Sequence, residues 1–212
     1  MNYNKYKFLI FLLVFTSLCI LCACTKDSTE TAATNHPSSS TLADTTTSTD
    51  SPVAYTFDDG TFISKEQLLS PVKHYDNICS TGNSETFKMV YPDEVLEFCI
   101  KSANKETSSD YAAMLYNLYK QIYGDSFTMS NEFLQCEPLN DDELIDFSEF
   151  YSKNVGVSII PDYAFLVTSN FTITYKDEDD QETTDSDIDF FITYFYDGQM
   201  YLDYFYIDTL DL

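Results

Sequence analysis

The chain has 212 residues, 35 of them acidic against 11 basic, for a formal charge of −24 at pH 7. All 11 basic residues are lysine, so no planar guanidinium fork is available to grip phosphate or carboxylate. That balance excludes a nucleic-acid surface, which needs basic stripes over phosphate, while 17 Phe and 17 Tyr supply ample apolar area for a packed core.

Residues 1–7, MNYNKYK, carry Lys5 and Lys7 and no acid, and residues 8–22, FLIFLLVFTSLCILC, are almost wholly apolar. A positive stretch followed by an apolar run of this length reads as a signal peptide. A spanning helix needs about 20 apolar residues, and this run is shorter. Leu21-Cys22-Ala23-Cys24 follows. It resembles the lipobox of bacterial lipoproteins: Leu three places before the cleavage point, a small residue just before it, then Cys. The resemblance implies a diacylglycerol thioether on Cys24, cleavage after Ala23, and a mature chain held on the outer face of the bacterial cytoplasmic membrane. Those proteins usually have Ala, Ser or Thr where this chain has Cys22. Stable anchoring takes two lipid signals, and a diacylglycerol group supplies two chains on one residue. No other cofactor is expected. An ordinary signal peptide or an uncleaved anchor is the alternative. Loss of residues 1–23 would leave nine lysines against 35 acids, a charge of −26. Such a charge keeps a surface protein soluble and repels anionic lipid.

Residues 24–52 form a Ser/Thr/Asp-rich tether with no aromatic residue and a single Leu. A segment of that kind cannot bury enough apolar surface to offset the entropy of ordering, so it is expected to be a disordered spacer. His36 lies in it. Composition changes at Val53, and residues 53–212 are long enough for one domain with its own core.

Within that domain, AYTFDDGTFIS (54–64) has two short apolar arms around Asp58-Asp59-Gly60 and reads as a small hairpin. Leu68, Val72, Tyr75 and Cys79 fit a helical stripe with Pro71 early in it. Asn83-Ser84-Glu85 opens a turn. Pro92 then suits a first helical turn, with Asp93 and Glu94 favourable against the helix dipole and Val95, Leu96, Cys99 and Ile100 facing inward. SSDYAAMLYNLYKQIYG places Tyr111, Met114, Leu115, Leu118, Tyr119, Ile122 and Tyr123 on one helical stripe, which predicts a buried Leu118 at its middle. Ser108 or Ser109 is the expected cap, and Gly124 the stop. SFTMSNEFLQCE reads as extended, and NDDELIDFSEFYSKN as a helix with Asn140 and Glu143 at capping-box spacing.

After Gly156 the period becomes two. YAFLVTSNFTITY (163–175), IDFFITYFY and MYLDYFYID read as three strands, the last two joined at Asp197-Gly198. KDEDDQETTDSD is expected to interrupt the first two as a solvated acidic loop. Ile188, Phe190, Ile192, Tyr194 and Tyr196 share one face, and Phe191 and Phe195 the other. Helices first and strands last argue an α+β fold, with N-terminal helices packed on one face of a curved antiparallel sheet formed mainly by the C-terminal strands.

The order of YPDEVLEF, the amphipathic helix ending in YG, DDELIDF and the closing DGQMYLD hairpin, across residues 84–208, resembles lipoproteins of Gram-positive gut bacteria with NTF2-like domains. Their closing motif typically carries a Trp where this chain has Met200. The resemblance implies a cone-shaped α+β fold that hosts enzymes, ligand carriers and interaction modules alike.

Chemistry is thinly signalled. Of the three cysteines left in the domain, Cys79, Cys99 and Cys136, no pair has zinc-ligand or CxxC spacing; one disulfide is an open alternative. Nucleophilic catalysis wants a histidine near Ser or Cys, and the domain has only His74, on a helix surface. A pocket acid for proton transfer would be Asp189 or Asp203, although strand alternation also allows either to face water. The run Asp177, Glu178, Asp179, Asp180, Glu182, Asp185 and Asp187 lacks the central Gly of an EF-hand loop, so no metal site is expected there. The expected function is a membrane-anchored, non-catalytic module binding a protein or small-molecule ligand. The alternatives are an NTF2-like hydrolase or isomerase using a pocket carboxylate, and a weak divalent-cation binder.

Overall fold

A computed structural model describes residues 52–177 and 179–210 of the chain. The signal segment, the Leu21–Cys24 motif and the tether up to residue 51 lie outside the described residues. No helix among the described residues is long and apolar enough to cross a membrane.

The first hairpin forms as expected: β1 (Val53–Thr56) pairs antiparallel with β2 (Phe62–Ser64) around Asp59, whose carboxylate accepts from the Thr61 N–H and hydroxyl. Ser64 then caps α1 (Lys65–Thr81), exchanging hydrogen bonds with Gln67 in a full capping box. Gly82 ends α1 at φ 72°, a left-handed turn that glycine adopts without a Cβ clash. A 3-10 turn at Phe87–Met89 leads through Pro92 into α2 (Asp93–Ser102), which buries Val95 and Cys99. Thr107, one residue before the expected serine caps, receives the Asp110 N–H at the start of α3 (Ser108–Tyr123).

The buried stripe of α3 is Tyr111, Ala112, Leu115, Tyr119 and Tyr123. It is rotated from the expected one. Leu118 is only half-buried, and with Met114 it lines a shallow surface groove. Ala112, small enough to be passed over in a pattern of large residues, marks the true centre of the packed face because it lets the helix approach closely.

The sheet has four antiparallel strands in the order β3 (Phe127–Pro138), β4 (Tyr163–Lys176), β5 (Glu182–Tyr196) and β6 (Gln199–Asp203). Its first strand is the expected extended run after Gly124, and it precedes the last helix, α4 (Asp141–Phe150). Asn140 and Glu143 form the expected capping box. The helix does not end cleanly: Tyr151–Val155 widen into a π-helical turn that closes on Gly156 at φ 75°. The β5–β6 hairpin turns on Asp197 and Gly198, both at positive φ (49° and 78°), the backbone a two-residue hairpin requires.

Both faces of the sheet are used. On one, Phe165, Val167, Phe171 and Ile173 of β4 and Phe191 of β5 are buried, and the Thr193 hydroxyl donates to the Leu68 carbonyl of α1 at 3.0 Å. On the other, Tyr194 lies under α4 and its π turn, with ring centroids 5.1 Å from Phe147 and 6.1 Å from Tyr151. Helices thus flank the sheet on both sides at its β6 end, not on one face alone. Further along β5 the second face is open: Ile188 and Phe190 are 47% and 40% exposed, while Ile192 and Tyr194 on the same face are fully buried.

The acidic stretch is also shorter as a loop than its composition implies. β5 begins at Glu182, in register with Lys176, so Asp185 and Asp187 belong to the strand. Thr183 and Thr184 favour extended backbone, and a cross-strand Thr174–Thr184 hydroxyl contact of 3.2 Å continues the ladder outward.

Candidate functional site

The two acids singled out from the sequence are both buried, contrary to the alternation that would turn them to water. Asp203 ends β6 opposite Ile192, and Asp189 sits on β5 opposite Ser169. Side chains alternate along a strand, so the two carboxylates point to opposite faces of the sheet and cannot share one site.

Asp203 is 0% exposed. Its Oδ1 accepts from the Tyr151 hydroxyl at 2.6 Å and from the Phe205 N–H at 3.1 Å, and its Oδ2 accepts from the Tyr206 N–H at 2.9 Å. Burial pushes this carboxyl up to about 6, while Tyr151 and the backbone donors of Phe205, Tyr206 and Ile207 restrain it. The Tyr151 phenol is in turn raised well above its ordinary value, first by burial and then by the Asp203 charge. The carboxylate turns the chain sharply after β6 and ties that turn to the π-helical segment. This is why the last strand stops at Asp203 instead of running to the expected end of MYLDYFYID.

Asp189 is 6% exposed and accepts from the Tyr204 hydroxyl at 3.1 Å and from the Phe190 N–H at 3.0 Å. Its neighbour across the ladder, Ser169, donates to Asn131 Oδ1 at 2.6 Å, and Asn131 Nδ2 donates to Asp76 Oδ2 at 2.8 Å. Asp76 comes from α1, Asn131 from β3 and Ser169 from β4, so three elements meet in one buried polar chain beside Asp189. No motif announces Asp76, Asn131, Ser169 or Tyr204. Asp76 follows the stripe residue Tyr75 directly, and Asn131 and Ser169 alternate inward on strands whose register is set only by folding. Buried polar groups are tolerated when their partners are in place, and these are.

The remaining candidate groups are three cysteines, one histidine and the acidic turn. Cys79, Cys99 and Cys136 are free thiols. Burial pushes Cys99 up to about 12 and Cys136 to about 11, and raises Cys79 well above its ordinary value, so none is a thiolate nucleophile near neutrality. His74 sits half-buried on α1. At the acidic tip, Asp177 Oδ1 accepts from the N–H groups of Asp179 and Gln181, and Lys176 pairs with Asp180 at 2.7 Å. These contacts close a turn that uses Asp180 at φ 58°. Among the described residues, no three His, Cys, Asp or Glu side chains converge as a metal site.

Two concavities stand out, and neither is lined by Asp189 or Asp203. One, of about 400 Å³, lies along α3 at Asp110, Met114 and Leu118. The other, of about 530 Å³, lies between α2 and residues 155–158. Between α1 and the sheet, the Tyr204 ring packs on Tyr75 and Phe191, with centroids 5.7 and 6.1 Å apart, beside the polar chain described above. Comparison with protein-family models, with curated proteins and with solved structures found no match.

Proposed function

We propose that the chain is an extracytoplasmic lipoprotein, anchored to the outer face of the bacterial cytoplasmic membrane through a lipidated Cys24. Its domain would be a non-catalytic ligand-binding or protein-interaction module. The observation that carries the reading is Leu21-Cys22-Ala23-Cys24 placed directly after a signal-length apolar run, followed by a tether without core-forming residues. The domain supports the non-catalytic part. Asp203 is satisfied by donors from Tyr151 and backbone, and Asp189 is held by Tyr204, so both acids serve the fold away from the open concavities. Helices packed on an antiparallel sheet that closes in an Asp-Gly hairpin support an NTF2-like assignment, which we carry as part of the proposal.

A second reading is an NTF2-like hydrolase or isomerase. It draws on Asp189 lying beside the Asp76–Asn131–Ser169 chain on the α1-facing side of the sheet. It needs substrate access to that side, which the Tyr204 ring packed on Tyr75 and Phe191 opposes. The test of the preferred reading is Cys24→Ala. The variant should leave the membrane fraction for the medium, or remain as an unprocessed precursor. A variant that fractionates and migrates like the parent would overturn the lipoprotein assignment.

A further inference from the structure

The groove between α2 and residues 155–158 has a particular chemistry. Glu94, Glu97, Phe98 and Lys101 lie at i, i+3, i+4 and i+7, so a single face of α2 forms one wall. Tyr196 of β5 and the 155–158 segment, with apolar Val155 and Val157 and polar Ser158, complete the lining. Phe98 makes an edge-to-face contact with Phe205, centroids 6.3 Å apart, which holds its ring in that wall. The surroundings are acidic. The Tyr201 phenol nearby is raised by burial and then by the carboxylates of Asp197, Asp93 and Glu94, so three negative charges gather at this end of the molecule. Glu97 adds a fourth, bridged by Lys101 at 2.9 Å with both side chains largely exposed. The lining itself holds two carboxylates, Glu94 and Glu97, against the one ammonium of Lys101.

We propose that this groove docks a lysine- or arginine-bearing segment of a partner protein. The inference rests on the interaction-module reading and names the partner chemistry for it. An aliphatic stem can lie along Phe98 and Tyr196 while its cationic head meets Glu94 and Glu97, the arrangement that suits an amphipathic cation. The Lys101–Glu97 pair is an exposed i, i+4 bridge of the kind that contributes little, so an incoming cation displaces it readily. A polypeptide fits better than a free amine because Ile160, 72% exposed, stands two residues beyond Ser158 of the same segment. It offers an apolar contact outside the groove that only a larger partner would cover. A second copy of this chain is a poor occupant, since each copy carries −24 and no arginine.

The test measures binding of fluorescein-labelled octalysine to the full chain in detergent by anisotropy, at about 0.15 M salt, where long-range attraction is screened. Glu94→Gln with Glu97→Gln should weaken binding about tenfold or more. Asp179→Asn with Asp180→Asn removes the same charge from the distant hairpin tip and should change it less than about twofold. Equal weakening by both pairs, or no saturable binding by the parent, overturns the groove. Thermal melts confirm that the variants are folded. Membrane retention of the same groove variant reads the anchoring separately, so a failed groove in an anchored protein leaves the lipoprotein reading standing.

Discussion

Tyr151→Phe isolates the role of the buried Asp203. The substitution keeps the ring and its packing on Phe147 and Tyr194 but deletes the hydroxyl that donates to Asp203 at 2.6 Å. A hydrogen bond to a charged group contributes about 1.5–3 kcal/mol, which sets the expected loss where the carboxylate is ionised. The pH dependence follows from the sign of the shift. Asp203 is raised from 3.8 to about 6 in the folded protein, so the folded state binds the proton more tightly than the unfolded chain. Its burial therefore opposes folding fully above pH 6, by roughly 3 kcal/mol, and that penalty is relieved as pH falls from 6 towards 4. Tyr151 stabilises the charged form, so its loss is felt most where Asp203 is charged. Urea denaturation of parent and variant at about pH 7.5 and about pH 4.5 checks this. The difference between them should be about 2 kcal/mol at the higher pH and clearly smaller at the lower. An equal loss at both values, or less than about 0.5 kcal/mol at the higher, would refute the coupling of Tyr151 to an ionised Asp203.

Leu115→Ala should cost about 2–5 kcal/mol in the same denaturation assay, because Leu115 is 4% exposed, whereas Leu118→Ala on the groove side should cost under about 1 kcal/mol. Similar losses at the two positions would mean that α3 packs on a different face. Calcium should shift the melting temperature no more than sodium chloride of matched ionic strength, since the 177–181 turn is closed by its own hydrogen bonds. A calcium-specific rise abolished by Asp179→Asn with Asp180→Asn would revive the divalent-cation reading.

The parts legible in the sequence are those whose physics is local. The Asn140–Glu143 capping box, the Asp197-Gly198 hairpin and the extended run of β4 depend on residues a few positions apart, and each forms as expected. What stays hidden in the sequence depends on distant partners. Asp76 and Asn131 are 55 residues apart in the chain, and Tyr151 and Asp203 are 52 apart. Neither pair leaves a pattern. Leu118 departs from its expected burial for a related reason: a stripe of large residues on one helix spans more arc than its neighbours can cover, and the elements packed on α3 select the side carrying Ala112. β5 runs into the acidic stretch because β4 offers a ladder there, which composition alone does not show. Asp189 and Asp203 are buried, as a pocket acid must be, but only the strand register shows that they face apart.

The lipid anchor is tested by the intact mass of the protein extracted from the membrane fraction of its expressing cells. That mass should correspond to a chain that begins at Cys24 and carries a diacylglycerol group on that residue, with residues 1–23 absent. A mass matching the full chain from Met1, or a chain cleaved elsewhere with an unmodified Cys24, would contradict it.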